Sequence, residues 1–452
     1  MARRMVCVIA LVVAPAPLRA DGIAIIGGSP RAIGRAGAAT VGDDGGGALL
    51  VNPAAMARRE TWRVQLGTAA IEDTVQWQSN TEASALSNSR AGTRLAPIGA
   101  AIGGLDGWVL GAGVMTAGVV DRSLPRPSDA HGDLGSTYDY RYTGIAGGYR
   151  RDTVMIGAAR RIHESLAFGL SVGAARVQVN EQRRVWAGVG GRDTIGSPTS
   201  DVELQLSGSD DFALSAVAGV MYAPVDTQIE LGASVAWAET VHLDGDAVAV
   251  GVPGGPTVRY VAPPRDALDV TQPLTVRAGG RYVGDRVVAE LDGDLWLAAD
   301  GAEATAWQVR GIRVLDSSPL YVDLRGLPSR ISQHTHVAMR TAVDVALIPG
   351  FLWATAGYAY STLGTPADRL SPTFADLGGH TLGLGLEGTS GGVTVTLGWS
   401  RTWSLATQAP TVLQLDNPFG AGDGPVPLGT YDGSIDQIGV LLEVELGGPR
   451  AP

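Results

Sequence analysis

The feature that most constrains this chain is an alternation of period two that recurs from residue 61 almost to the C-terminus. Val393, Val395, Leu397 and Trp399 make one apolar face, and Thr394, Thr396, Gly398 and Ser400 make the other. Leu382, Leu384 and Leu386 alternate in the same way with Thr381, Gly383, Gly385 and Glu387, and Ile229, Leu231, Val235 and Trp237 with Gln228, Glu230, Gly232 and Ser234. Near the end, Ile438, Val440, Leu442, Val444 and Leu446 alternate with Gln437, Gly439, Leu441, Glu443 and Glu445. Successive side chains of a β-strand point to opposite faces, so each segment reads as a strand with one dry and one wet side. Residues 98–120 are long enough for a transmembrane helix and carry only one charge, Asp106. Seven glycines and an Asp106-Gly107 pair at the centre read instead as two strands and a hairpin turn.

The pattern predicts strands at 61–71, 94–105, 108–118, 141–162, 166–179, 210–222, 227–237, 274–284, 286–298, 334–348, 350–361, 380–388, 392–404 and 434–446. That is an even number, about fourteen, with short turns alternating with long polar loops, as in an up-and-down transmembrane β-barrel. The short turns fall at Asp106-Gly107, His163-Glu164-Ser165, Pro224-Val225-Asp226, Gly284-Asp285, Pro349-Gly350 and Ser390-Gly391. In a bacterial outer-membrane barrel these face the periplasm. Trp62, Trp108 and Trp353 open strands while Trp237, Trp296 and Trp399 close them, which predicts two interfacial aromatic girdles. No Pro/Ser/Gly linker divides the chain, so one domain follows the leader.

That leader is residues 1–20. Arg3 and Arg4 precede an apolar core from Met5 to Ala14 and a turn-forming stretch ending at Ala20, the arrangement of a secretory signal peptide with cleavage after Ala20. The single cysteine, Cys7, leaves with it, which removes disulfides, thiolate metal sites and cysteine nucleophiles from the mature chain. There is no lysine, so Schiff-base chemistry and a P-loop are excluded. The net charge of −11 becomes more negative once Arg3, Arg4 and Arg19 are removed, which argues against nucleic acid as a partner.

Residues 21–59 show no strand alternation and are rich in Gly and Ala. As a linker they would need no structure; as a plug they would fill the lumen that a barrel of this size encloses. Gly34-Arg35-Ala36-Gly37, the acidic pair Asp43-Asp44 and Asn52-Pro53-Ala54 resemble the N-terminal plug of the FadL-type outer-membrane transporters of long-chain fatty acids and other hydrophobic compounds. Further along, Ile162-His163-Glu164-Ser165-Leu166-Ala167-Phe168-Gly169, Met221-Tyr222-Ala223-Pro224 and Tyr431 with Asp436-Gln437-Ile438-Gly439 follow the family's order and spacing. The chain departs from the pattern in ending its last strand on Leu446 rather than an aromatic, with a tail at 447–452.

The resemblance implies a plug at 21–59 inside a barrel at 60–446, in the outer membrane of a Gram-negative-type bacterium. It implies passive uptake of a fatty acid or similar hydrophobic ligand through a lumen pocket, with lateral exit at a kink in the third strand and lipid as the surrounding partner. A general diffusion porin and a structural or secretion-complex barrel are the competing readings, and a monomer is expected. Gly111 and Gly113 are the candidate positions for the kink, against the reading that they are ordinary barrel glycines. Asn52-Pro53 suits a turn, and Gly34 and Gly37 permit close approach to the wall.

Arg35, Asp43 and Asp44 are candidates to pair with lumen charges such as Arg340 and Asp344, the alternative being solvation in a wet lumen. His334 and His336 share that strand. Two histidines without a third ligand do not make a metal site, so a polar lumen pair is expected, with no metal and no other cofactor. No local signature of a Ser-His-Asp hydrolase is present, and no enzymatic activity is expected.

Overall fold

The structure is a computed structural model that describes residues 28–80, 86–88, 92–125, 139–189, 193–194, 196–299, 305–315, 321–409, 413–414, 417–419, 425–426 and 429–447. The expected signal peptide at 1–20, the first residues of the expected plug segment and the end of the C-terminal tail lie outside these residues. Fourteen antiparallel strands close into one barrel. They are β1 Trp62–Gln78, β2 Arg94–Leu105, β3 Trp108–Ser123, β4 Ala146–His163, β5 Leu166–Trp186, β6 Asp201–Tyr222 and β7 Ile229–Ala238. The second half comprises β8 Leu274–Val283, β9 Val287–Leu297, β10 His336–Ile348, β11 Leu352–Ser361, β12 Gly379–Ser390, β13 Val393–Trp403 and β14 Thr430–Leu446. Each pairs with its chain neighbour, and β14 returns to β1 over the full register from Trp62↔Leu446 to Gln78↔Thr430. Closure leaves the barrel without an edge strand, the condition for crossing a bilayer with strands.

The alternation seen in the sequence becomes an apolar exterior. Leu66, Val114, Ile156, Leu170, Leu231, Leu291, Leu384 and Ile438 all point outward and are exposed. Trp62 and Trp108 stand exposed at the short-turn end, and Trp237 and Trp403 at the other. Trp296 corrects the girdle reading. It sits on the inward parity of β9 with Asp292 and Asp294 and stacks on His336 of β10 at 4.5 Å between ring centroids, inside the barrel.

Several strands run well past the apolar band. On β5 the outward residues change from Phe168, Leu170 and Val172 to Gln178 and Asn180, while the inward ones change to Val177 and Val179. The parity is constant but the chemistry inverts, so the upper barrel is dry inside and wet outside, like a water-soluble protein. Strand β7 is followed by an arm at Val241–Gly251, which pairs with the upper part of β6. A second arm, Thr257–Val270, pairs with the first and leads into β8. The apolar interior they enclose contains Leu204, Leu206, Leu243, Leu268, Trp307, Ile312 and Phe374. The sequence reading left these stretches as long polar loops because their alternation has the opposite polarity to a lipid-facing strand.

Candidate functional site

The barrel wraps around residues 28–59. Two short helices, α1 Pro30–Gly34 and α2 Ala48–Val51, and a 3-10 turn at Pro53–Arg58 fold into the short-turn half of the lumen. Local chemistry sets each piece. Ser29 caps α1, its Oγ accepting from Ala32 N at 3.2 Å, and Pro30 supplies the fixed first-turn backbone. Asn52 caps the 3-10 turn in the same way through Ala54 N at 3.2 Å, and donates from Nδ2 to Thr40 O at 2.8 Å. Ala36 and Gly37 take positive φ, 50° and 88°, where the chain reverses after α1. Gly34 lies so close to the wall that a Cβ there would stand 2.9 Å from Gly385 Cα of β12.

The plug has a charged side and an apolar side. Arg35, 2% exposed, donates to Asp344 of β10 and to Glu290 of β9. The same wall receives the plug backbone: Ala39 N and Thr40 N donate to Asp292 at 2.8 and 2.9 Å, and Val41 N and Gly42 N to Glu290 at 2.8 and 2.9 Å. Arg340 is held by Asp294 at 2.9 Å and reaches Ala36 O at 3.2 Å. On the apolar side Leu49, Ala54, Ala55 and Met56 pack on Ile98, Ile102, Met115, Met155 and Met221 of β2–β6.

The two acids of the front motif find their partners within the segment or just below it, not on Arg340. Asp43 accepts from Ser29 Oγ at 2.7 Å and Gly45 N at 3.0 Å, and burial pushes its carboxyl up from the ordinary value. Asp44 pairs with Arg59 at 2.7 Å. The sequence pointed to Arg35 and Asp344 but not to Glu290 and Asp292. The signal was there, since Glu290, Asp292 and Asp294 recur every second residue and so share one strand face.

Above the plug lies a cavity of 240 Å³, floored by Leu50 and Val51 and walled by residues of β4, β6, β8, β9 and β10, including Met155, Val217, Arg277, Trp296 and His336. His336 reaches it directly, with Nδ1 on His334 O at 2.9 Å. His334 precedes β10 and donates its backbone N–H to Gly364 O at 3.0 Å. Among the described residues no group of three or more metal-binding side chains exists there or elsewhere.

The cavity touches the barrel wall at Ala117 and Gly118, and there the wall changes. Strands β2 and β3 pair from Leu105↔Trp108 to Ile98↔Met115 and no further. Beyond that point Arg94 to Pro97 pair only with β1, and Thr116 to Ser123 only with β4, whose register slips between Thr116 and Gly118. The extra residue reverses which side chains of β3 face inward, and Thr116, on the outward parity, is 3% exposed. Arg94 donates across the interruption to Asp121 O, supplying one of the backbone groups there with a partner.

The candidates Gly111 and Gly113 are therefore misplaced as the break. Both pair regularly on both sides, with Ile102 and Ala100 of β2 and with Gly157 and Met155 of β4. Their missing side chains make room for the plug, because a Cβ at Gly111 would stand 2.9 Å from Met56 Sδ and one at Gly113 3.2 Å from Leu49 Cδ1. A better signal lay in Pro97, the residue next to Ile98 where the pairing with β3 ends, since proline within a strand marks a position that has no ladder hydrogen bond to give.

Among known proteins, no family model matches this sequence, and none of the curated proteins does. Solved structures match over nearly the whole chain. A FadL homologue from Pseudomonas aeruginosa superimposes with a TM-score of 0.75 at 13% identity, covering 94% of this chain and 100% of that one. The Pseudomonas putida toluene transporter TodX gives 0.68 at 15% identity, with 94% and 100% covered. The Ralstonia pickettii toluene transporter TbuX gives 0.64 at 14%, with 93% and 98% covered. This protein is thus a plugged fourteen-stranded barrel with the fold of the FadL-like structures.

Proposed function

We propose that the protein is a passive outer-membrane channel for hydrophobic small molecules, with residues 21–59 as its plug and 60–446 as its barrel. Its short turns face the periplasm and its arms the exterior, as in other barrels of this kind. The solved structures that share the fold include toluene transporters and a monoaromatic hydrocarbon channel. A molecule entering from the outside reaches the cavity above the plug and leaves sideways between β2 and β3. That route passes it to the bilayer without a water-filled exit, avoiding a cost of roughly 0.8 kcal/mol per exposed methylene.

The observation that carries this reading is the meeting of cavity and wall interruption at Ala117-Gly118. A cross-link tests it. Continuing the β2–β3 register would place Pro97 opposite Thr116, and the sequence has no cysteine other than Cys7 in the leader. In a Pro97→Cys/Thr116→Cys variant, oxidation should stop uptake of a hydrophobic probe and reduction should restore it. Uptake that is unchanged in fully oxidised protein would refute lateral exit.

A further inference from the structure

We propose that the cavity above the plug selects a small aromatic carboxylate, held by Arg151 and Thr153 of β4. The proposal rests on the reading of this cavity as the transport site and narrows its ligand.

Arg151, Thr153 and Met155 occur every second residue on β4 and all line the cavity. The three cavity arginines differ in how they are compensated. Arg340 is bound to Asp294 at 2.9 Å, and Arg277 has the same carboxylate within 4.0 Å. The Arg151 guanidinium has no ion-pair or hydrogen-bond partner among the described residues, although it is only partly exposed. Two residues on, Thr153 is 2% exposed and its Oγ1 also lacks a partner. A buried hydroxyl without a partner is costly, and this one shares a strand face with a guanidinium that no carboxylate of the described residues compensates, so the pair suits an acceptor supplied from outside. A carboxylate satisfies both, since guanidinium binds it through paired N–H groups and hydroxyl adds a third donor. A neutral hydrocarbon satisfies neither.

The same face then turns apolar. Met155 continues the row, with Val217 of β6 and Leu50 of the plug beside it, so a ligand with its head on Arg151 lays its body on thioether and aliphatic carbon. Size sets the body. A cavity of about 150 Å³ accepts benzene, so the 240 Å³ here has room for one ring and its carboxylate. Position sets the route: Arg151 pairs across the sheet with Gly118, in the segment where β3 has left β2, so the head is held beside the opening.

The test uses full-length protein in lipid nanodiscs, with equilibrium binding of benzoate, its neutral isostere benzamide, toluene and palmitate. Benzoate should bind about tenfold more tightly than benzamide, the difference expected for one charge-assisted contact. Arg151→Gln should remove that preference while toluene binding stays within about twofold, and Thr153→Val should weaken benzoate by about threefold with the same toluene control. Heat-modifiable migration checks that each variant is folded. Benzoate no tighter than benzamide, or an Arg151→Gln variant that weakens toluene equally, would overturn the assignment, as would palmitate displacing benzoate at lower concentration. Toluene binding without benzoate preference defeats only this inference, whereas binding of none of the four defeats the channel reading with it.

Discussion

Arg35 of the plug donates from Nη1 to Asp344 of β10 at 2.5 Å, joining residues 309 positions apart in the chain. The bond matters because both groups are buried and Glu290 shares the same guanidinium. Removing one member of such a cluster is far more damaging than never having built it, since the remaining charges stay desolvated. Arg35→Met strands two carboxylates and should cost the plug roughly 3–5 kcal/mol of its seating. The strands supply all backbone pairing, so the barrel should still insert. Ion conductance through planar bilayers should rise above that of the unaltered protein, and an unchanged conductance would show that Arg35 is dispensable.

An inward-facing glycine of β5 gives a second handle on the same seat, with an outward-facing glycine of β9 as its control. At Gly169 of β5 a Cβ would run into the backbone of Pro53 and Ala54, with Pro53 O at 2.7 Å, whereas at Gly293 of β9 it would meet nothing within 4 Å. Gly169→Ala should therefore displace the 3-10 turn and admit ions, while Gly293→Ala should leave conductance unchanged. Equal behaviour of the two variants would count against plug contact at β5.

Orientation is checked by accessibility. A cysteine replacing Pro253, between the two arms, should react on intact cells with a membrane-impermeant maleimide. One replacing Asp226 in the β6–β7 turn should react only after the outer membrane is opened. The reverse pattern would invert the barrel.

The arms should respond to pH. Asp266 is buried on the second arm, beyond the apolar band, with Oδ2 accepting from Ser207 N at 3.0 Å. Burial pushes its carboxyl from the ordinary 3.8 up to about 7, against the Ser207 bond and with Asp246 adding to the rise. The folded arm thus holds this proton more tightly than the unfolded chain. Its contribution to stability is complete below the ordinary value and is lost as pH climbs towards 7, after which the dependence ends. Hydrogen exchange across 241–270 should be slower at pH 5 than at pH 8 after correction for intrinsic rates. Asp266→Asn should flatten the difference, and a variant that keeps the full pH response would assign it elsewhere.

The wall of this barrel was legible because lipid and lumen impose opposite polarities on adjacent residues, and every strand from β1 to β14 carries some part of that signature. It failed where the solvent changed. Past Arg176 the outward side chains meet water and the inward ones a dry core, so a pattern tuned to lipid ends too early on β5 and misses the arms. Trp296 was misassigned for a related reason: an aromatic near a strand end suits a membrane interface, and only its shared parity with Asp292 and Asp294 reveals that it points inward. Of the candidate site, Arg35 and Asp344 could be named as ionic partners from chemistry alone. That Glu290 and Asp292 bind main-chain amides could not, because amides are present at every residue and leave no trace in the sequence.

Ala96 turns its carbonyl towards β1, where Thr68 Oγ1 donates to it at 3.4 Å. Backbone groups of consecutive strand residues point to opposite sides, so Pro97 presents its own to the open side, facing β3. Proline has no hydrogen there to give. Even if thermal motion carried β3 back against β2, the seam would close one tooth short, and the bulge at Ala117 would set the remaining teeth out of step. The break in pairing is thus a fixture of the chain's covalent chemistry rather than one of two positions of a door. A wall built this way needs no trigger and no energy source to keep these two strands unpaired.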